Sequence, residues 1–141
     1  MSLFKVFNVA GSALNAQTIR LNTTASNLAN AESVSGDASK VYRARHPVFQ
    51  AMMDSADGTF DGQDSAAGVR VLGVVESKAP PLMRYQPDNP LANKDGYVFS
   101  SNVNSIEEMT NMISANRSFA TNIEAINTAR DLLLKTISMG H

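Results

Sequence analysis

Apolar residues recur at seven-residue intervals at both ends of this chain and lose that rhythm in the middle. From Ser2 to Ala31 there is no proline and a single glycine, and Phe7, Leu14, Leu21 and Leu28 stand seven residues apart. Ala10, Gly11 and Ala25 fill the alternate turns. That spacing predicts a helix with a narrow seam of the coiled-coil type. From Asn104 to Met139 there is neither proline nor glycine, and Met112, Phe119, Ile126 and Leu133 repeat the same interval. Met109, Ile113, Ala120, Ile123, Leu134 and Ile137 widen the ladder into a face. Ser105 followed by Glu108 reads as a capping box, in which each side chain satisfies the other's backbone amide. Lys135 complements the negative end of the helix, and Gly140 offers a stop.

Between the two periodic ends, residues 34–102 contain all five prolines and most of the glycines, which excludes long helices there. The runs Val69–Val75, Leu82–Tyr85 and Tyr97–Phe99 have β character, and Val48 and Phe49 suit a further strand. The stretch from Asp54 to Gly68 is rich in Asp, Gly, Ser and Ala and reads as a loop or hairpin turn. The expected fold is α+β, with long N- and C-terminal helices (residues 1–33 and 103–141) paired as a coiled-coil-like hairpin. A small β-rich domain (residues 34–102) is inserted between them.

Composition narrows the function. The chain has 141 residues with 12 basic and 13 acidic side chains, and no basic run that would follow a phosphate backbone, so nucleic acid is not an expected partner. No cysteine is present, which excludes disulfides and thiol chemistry. No run of about 18 apolar residues occurs, so direct membrane insertion is not expected. The first residues lack the pattern of a cleaved secretory leader. Asp54, Asp57, Asp61 and Asp64 hint at calcium. Counted from Asp57, however, an EF-hand would need a carboxylate at position 12, where Gly68 stands, so a turn is the better reading. His46 and His141 have no third ligand or nucleophile motif beside them. Adjacent Glu107 and Glu108 point to different helix faces, which suits capping better than acid–base work. No phosphate- or dinucleotide-binding fingerprint occurs, so the expectation is a protein with no catalytic residue, metal or cofactor.

The N-terminal helix has an unusual outer face. Between Val6 and Ala31 its only charge is Arg20, while Asn8, Asn15, Asn22, Asn27 and Asn30 join Thr18, Thr23 and Thr24. A helix exposed to water ordinarily carries Glu and Lys there. An uncharged polar face is what a helix shows when other protein surrounds it, because charge is depleted at interface cores. A monomer with an Asn-rich outer face is the plainer alternative.

These residues also carry a resemblance. SALNAQTIRLNTTASNLANAES (Ser12 to Ser33) and NVNSIEEMTNMISANRSFATNIEAINTARDLLLKTISMG (Asn102 to Gly140) resemble the terminal signatures of the flagellar rod and hook proteins. YRARHPVFQ (Tyr42 to Gln50) and YQPDNPLANKDGYV (Tyr85 to Val98) resemble its proximal-rod members in particular. The resemblance implies a structural subunit of the basal-body rod, with paired helices on the inside of a hollow shaft and the β-rich insert outside. It implies export through the flagellar type III apparatus without a cleaved signal, and a periplasmic rod that transmits torque and conducts later subunits. Its implied partners are copies of itself, other proximal and distal rod proteins, and the export apparatus. Phe7, Leu14, Leu21 and Leu28 would then meet Met112, Phe119, Ile123, Ile126 and Leu133 at the helix pair and subunit interface. Asn8, Asn15 and Asn22 would face the lumen or adjacent subunits. Another rod- or hook-family subunit, or a cytosolic helical export adaptor, is the competing expectation.

Overall fold

The structure, a computed structural model, describes residues 3–53 and 67–139. A 27-residue helix α1 (Leu3–Ala29) opens the chain and a 35-residue helix α2 (Ser105–Met139) closes it. Between them lie β1 (Val34–Ser35), β2 (Arg45–Met53), β3 (Ala67–Glu76), β4 (Leu82–Tyr85) and β5 (Tyr97–Ser100). The class is α+β. The helices pack side by side, and Arg20 reaches Asn111 while Val6 lies against residues between Thr121 and Leu132, so they run antiparallel. At 1.5 Å per residue they span about 40 and 50 Å.

Local chemistry explains both helices. In α1 the Thr18 and Thr23 hydroxyls donate to the carbonyls of Leu14 and Ile19 one turn back, at 2.9 and 2.8 Å, so these polar side chains do not draw the backbone out of the helix. Its last turn is closed by Asn30, whose side-chain amide donates to the Ser26 carbonyl, and by Ser33, whose hydroxyl donates to the Asn30 carbonyl, both at 2.8 Å. At the start of α2 the expected capping box of Ser105 and Glu108 does not form. Asn104 caps instead: its Oδ1 accepts the amides of Ile106 and Glu107 at 3.1 and 3.4 Å. Asn and Ser rank alike as caps. The preceding chain, tied down through Asn102, sets the start of the helix one residue earlier than the Ser-x-x-Glu pattern implies. Ser105 is exposed, and Glu108 turns inward to 4% exposure.

The strands form two small antiparallel sheets. β2 and β3 pair from Arg45↔Glu76 to Met53↔Ala67, with a bulge where Val48 faces Gly73 and Phe49 faces Val71. Leu72 is the extra residue, and such a bulge increases the local twist. This hairpin lies against α1, where Ser12 Oγ accepts the Val69 amide at 3.1 Å. The aspartates 54, 57, 61 and 64, read above as a turn, fall outside the described residues. The second sheet has the order β1-β5-β4. The two-residue β1 carries no alternation that a sequence reading could detect. Gly96, at φ +78°, turns the chain into β5 where a side chain would collide with Tyr85 and Pro87.

The β2–β3 hairpin lies along α1, and where α1 ends and α2 begins three side chains are almost wholly enclosed: Val98 at 0%, Asn27 at 1% and Ser101 at 1% exposure. Asn27 Nδ2 donates to the Arg45 carbonyl at 2.8 Å, and its Oδ1 accepts the Arg45 amide and the Tyr42 hydroxyl, both at 2.9 Å. Asn102 Oδ1 accepts the Ala44 amide at 2.7 Å, while its Nδ2 donates to the Ala79 carbonyl at 2.9 Å. Two asparagines, one on α1 and one just before α2, thus hold the Ala44–Arg45 segment.

Candidate assembly site

Each helix shows three stripes at seven-residue spacing, and only some are covered. On α2 the covered stripe contains Met112, Phe119, Ile126 and Leu133, all half-buried, alternating with Glu108, Ala115, Asn122 and Ala129. Of the second set, Ala115 and Ala129 are 0% and 4% exposed. Apolar periodicity misses this second set because it mixes alanine with polar residues. Small side chains let helices approach closely, which is the signal that could have found it.

The second stripe of α2 is bare and largely apolar, interrupted by Asn116, Asn127 and Arg130. Ile106, Met109, Ile113, Ile123, Leu134 and Ile137 are between 41% and 77% exposed. Ile123, expected in the helix pair, therefore sits on the outward stripe, fourteen residues on from Met109 in the same heptad series. The face predicted from Met109, Ile113, Ala120, Ile123, Leu134 and Ile137 is real as a pattern but is not used within the chain. The third stripe is polar throughout, with Thr110, Arg117, Glu124 and Asp131 among its exposed members.

On α1, Phe7, Leu14, Leu21 and Leu28 are half-buried, alternating with buried Ala10 and Thr24 and half-buried Gln17. A second face, with Ser12, Ala16, Thr23 and Asn27, turns toward the β2–β3 hairpin. The expected outer residues Asn8, Asn15 and Asn22 are exposed, in register with exposed Gly11, Thr18, Ala25 and Ala29. Asn27 belongs to the same Asn-rich run but is buried. Its helical phase differs from that of Asn8, Asn15 and Asn22, and Arg45 packs over the face on which it lies.

Elsewhere the surface of the described residues offers little chemistry. An open groove of about 620 Å³ beside Tyr42, Arg43 and Lys40 is bordered by the Arg45–Glu76 ion pair at 3.0 Å. Both partners are half in water, so the pair contributes at most about 1 kcal/mol. A shallower apolar groove of about 460 Å³ runs along the far end of the helices, lined by Val6, Ala125, Ala129 and Leu132. No group of three or more His, Cys, Asp or Glu among the described residues has the arrangement of a metal site. Among those residues, no helix is long and apolar enough to cross a membrane.

Terminal helices bearing bare heptad stripes, joined through a small β insert, are the architecture of an assembly subunit. Comparison with known proteins gives the family. Residues 7–36 match the model of flagella basal body rod proteins, and residues 94–139 match that of the C-terminal region of the flagellar basal body rod FlgEFG proteins. The chain is 49% identical over 140 residues to the flagellar basal-body rod protein FlgC of Salmonella typhimurium, covering 99% of each chain. It is 47% identical to its counterpart in Escherichia coli O6:H1 and 46% to that of Yersinia enterocolitica, each with 99% coverage of both chains. The chain belongs to the flagellar basal-body rod protein family.

Proposed function

We infer that this chain is a structural subunit of the proximal basal-body rod, polymerising into the hollow shaft that transmits torque and conducts exported subunits. The observation that carries this reading is the pair of bare heptad stripes on helices whose terminal signatures are those of the rod family. In this arrangement residues 1–33 and 103–141 form an inner, coiled-coil-like unit, and residues 34–102 an outer insert. Phe7, Leu14, Leu21 and Leu28 oppose Met112, Phe119, Ile126 and Leu133, while Ile123 contributes to contacts with neighbours. The subunit leaves the cell interior through the flagellar export apparatus and joins copies of itself and other rod proteins.

The test is whether the protein co-purifies with intact basal bodies from cells that make it as their sole copy. Leu21→Asp or Ile126→Asp places a charge in the half-buried seam, where it is poorly solvated. Each variant is expected to remain soluble yet to stop rod completion and abolish swimming. Normal swimming by both would remove the seam from the mechanism. Recovery of the wild-type chain only from the cytosol would favour an export adaptor instead.

A further inference from the structure

The segment that joins β2 to β3 and the stretch before it carry opposite charge. Residues 38–53 hold Lys40, Arg43 and Arg45 and no carboxylate, whereas residues 54–69 hold Asp54, Asp57, Asp61 and Asp64 and no Lys or Arg. The three cations border the open groove of about 620 Å³, and among the described residues Glu76 is the one acid that lines it. Arg45 is already committed there, paired with Glu76 at 3.0 Å and lying over the Tyr42 ring at 5.4 Å from its centroid. Tyr42 in turn donates to Asn27 at 2.9 Å, which ties this wall of the groove to α1. Arg43 is half-buried, yet among the described residues it donates no hydrogen bond and joins no ion pair. A guanidinium that has lost part of its water and found no acceptor favours a carboxylate, which its planar fork matches with two parallel bonds.

We propose that this groove receives the Asp-rich segment, residues 54–64, of a second copy of the chain, with Arg43 taking an Asp carboxylate. The proposal rests on the rod-subunit reading and names a contact made by the insert. Chain length directs the segment outward. The groove lies at the Arg45–Glu76 end of the β2–β3 ladder, and the segment leaves from the Met53–Ala67 end. The nine residues of β2 span about 26 Å at roughly 3.3 Å per residue. Asp61, the aspartate furthest from either anchored end, is six residues from Ala67 and extends at most about 21 Å. A copy's own aspartates therefore fall short of its own groove, and a neighbour's do not. Ion pairs partly in water are individually weak, so the contact fixes partner and register more than it holds copies together. Groove and segment are different patches, so the contact is head-to-tail and leaves one of each free for the next copy.

A charge exchange tests the pairing in chains made as the sole copy in cells. Arg43→Glu, and separately Asp57→Lys with Asp61→Lys, should each lower the yield of completed basal bodies about five-fold, because like charges would then face each other. Combined in one chain, the three changes should restore the yield to within about two-fold of wild type. No loss in either charge variant, or no recovery in the combined one, would overturn the pairing. A cross-link keeps the test decisive where a variant folds poorly, since the chain has no cysteine of its own. Ser39→Cys, on the exposed rim of the groove, is joined in turn with Asp57→Cys, Asp61→Cys or Asp64→Cys. The control joins Ser39→Cys with Arg117→Cys on α2. Mild oxidation of isolated basal bodies should give a ladder of covalent multimers from at least one pair, about ten-fold over the control. A disulfide closed within one chain, a ladder from the control, or cross-links only to a different rod protein would each overturn the proposal. So would basal bodies that hold every pair without a ladder from any. Absence of the wild-type chain from the basal bodies would count against the rod reading itself, a separate outcome.

Discussion

The two ends of the helix pair are built differently. At the end joined to the sheets, Asn27, Asn102 and Ser101 are anchored by hydrogen bonds that cross from one element to another, and Val98 is wholly enclosed. At the far end the buried residues are alanines, while Leu132, Leu134, Ile137 and Met139 are 52–80% exposed. Hydrogen bonds are directional and lose their worth when a partner shifts, so the junction specifies one geometry. Alanine contacts and exposed leucines specify little within the monomer. The difference teaches that the chain settles its shape at the junction, while the far end keeps large apolar side chains uncovered within the monomer.

Breaking the junction should have the largest effect on the monomer. Asn27→Ala removes a carboxamide that satisfies both the amide and the carbonyl of Arg45, and should cost roughly 2–3 kcal/mol of unfolding free energy in urea denaturation. A cost under about 0.5 kcal/mol would show that the junction is not the source of order. Gly96→Ala should follow, at about 1–2 kcal/mol, because φ of +78° disfavours a side chain and the new Cβ would lie 2.9 Å from the Tyr85 ring. The matching change at the far end, Leu132→Asn, should shift monomer stability by less than about 0.5 kcal/mol. Its effect should appear in assembly, read as fewer completed rods per cell.

The smallest effect concerns Asp37, on the exposed turn after β1. The Ser39 backbone amide, and then the Ser39 hydroxyl, donate to its carboxylate and hold its pKa below the ordinary value of 3.8. A depressed carboxylate contributes stability above its unfolded pKa and loses it as pH falls through the lower folded value. A carbon-13 titration of Asp37 should therefore show a midpoint below 3.8. Asp37→Asn should flatten only the most acidic part of the stability curve, leaving the helix ends untouched.

Much of this architecture was legible in the chain. Both helices, the segments forming β3, β4 and β5, and the exposure of Asn8, Asn15 and Asn22 follow from spacing, proline placement and side-chain polarity, which act over a few residues. The capping position was misread by one residue, because Ser105 and Asn104 are comparable caps and only the anchoring through Asn102 separates them. Ile123 was read into the helix pair for a similar reason, since nothing local distinguishes its stripe from that of Phe119.

The sequence by itself determined the period of the terminal helices, the irregular β character of the middle, the uncharged face of α1 and membership in the rod family. The tertiary structure alone decided which of two apolar stripes on α2 turns inward and which asparagine is buried. It also decided how the short β1 finds β5. Periodicity is a property of one segment, whereas choosing between equivalent faces depends on what a second segment brings against them.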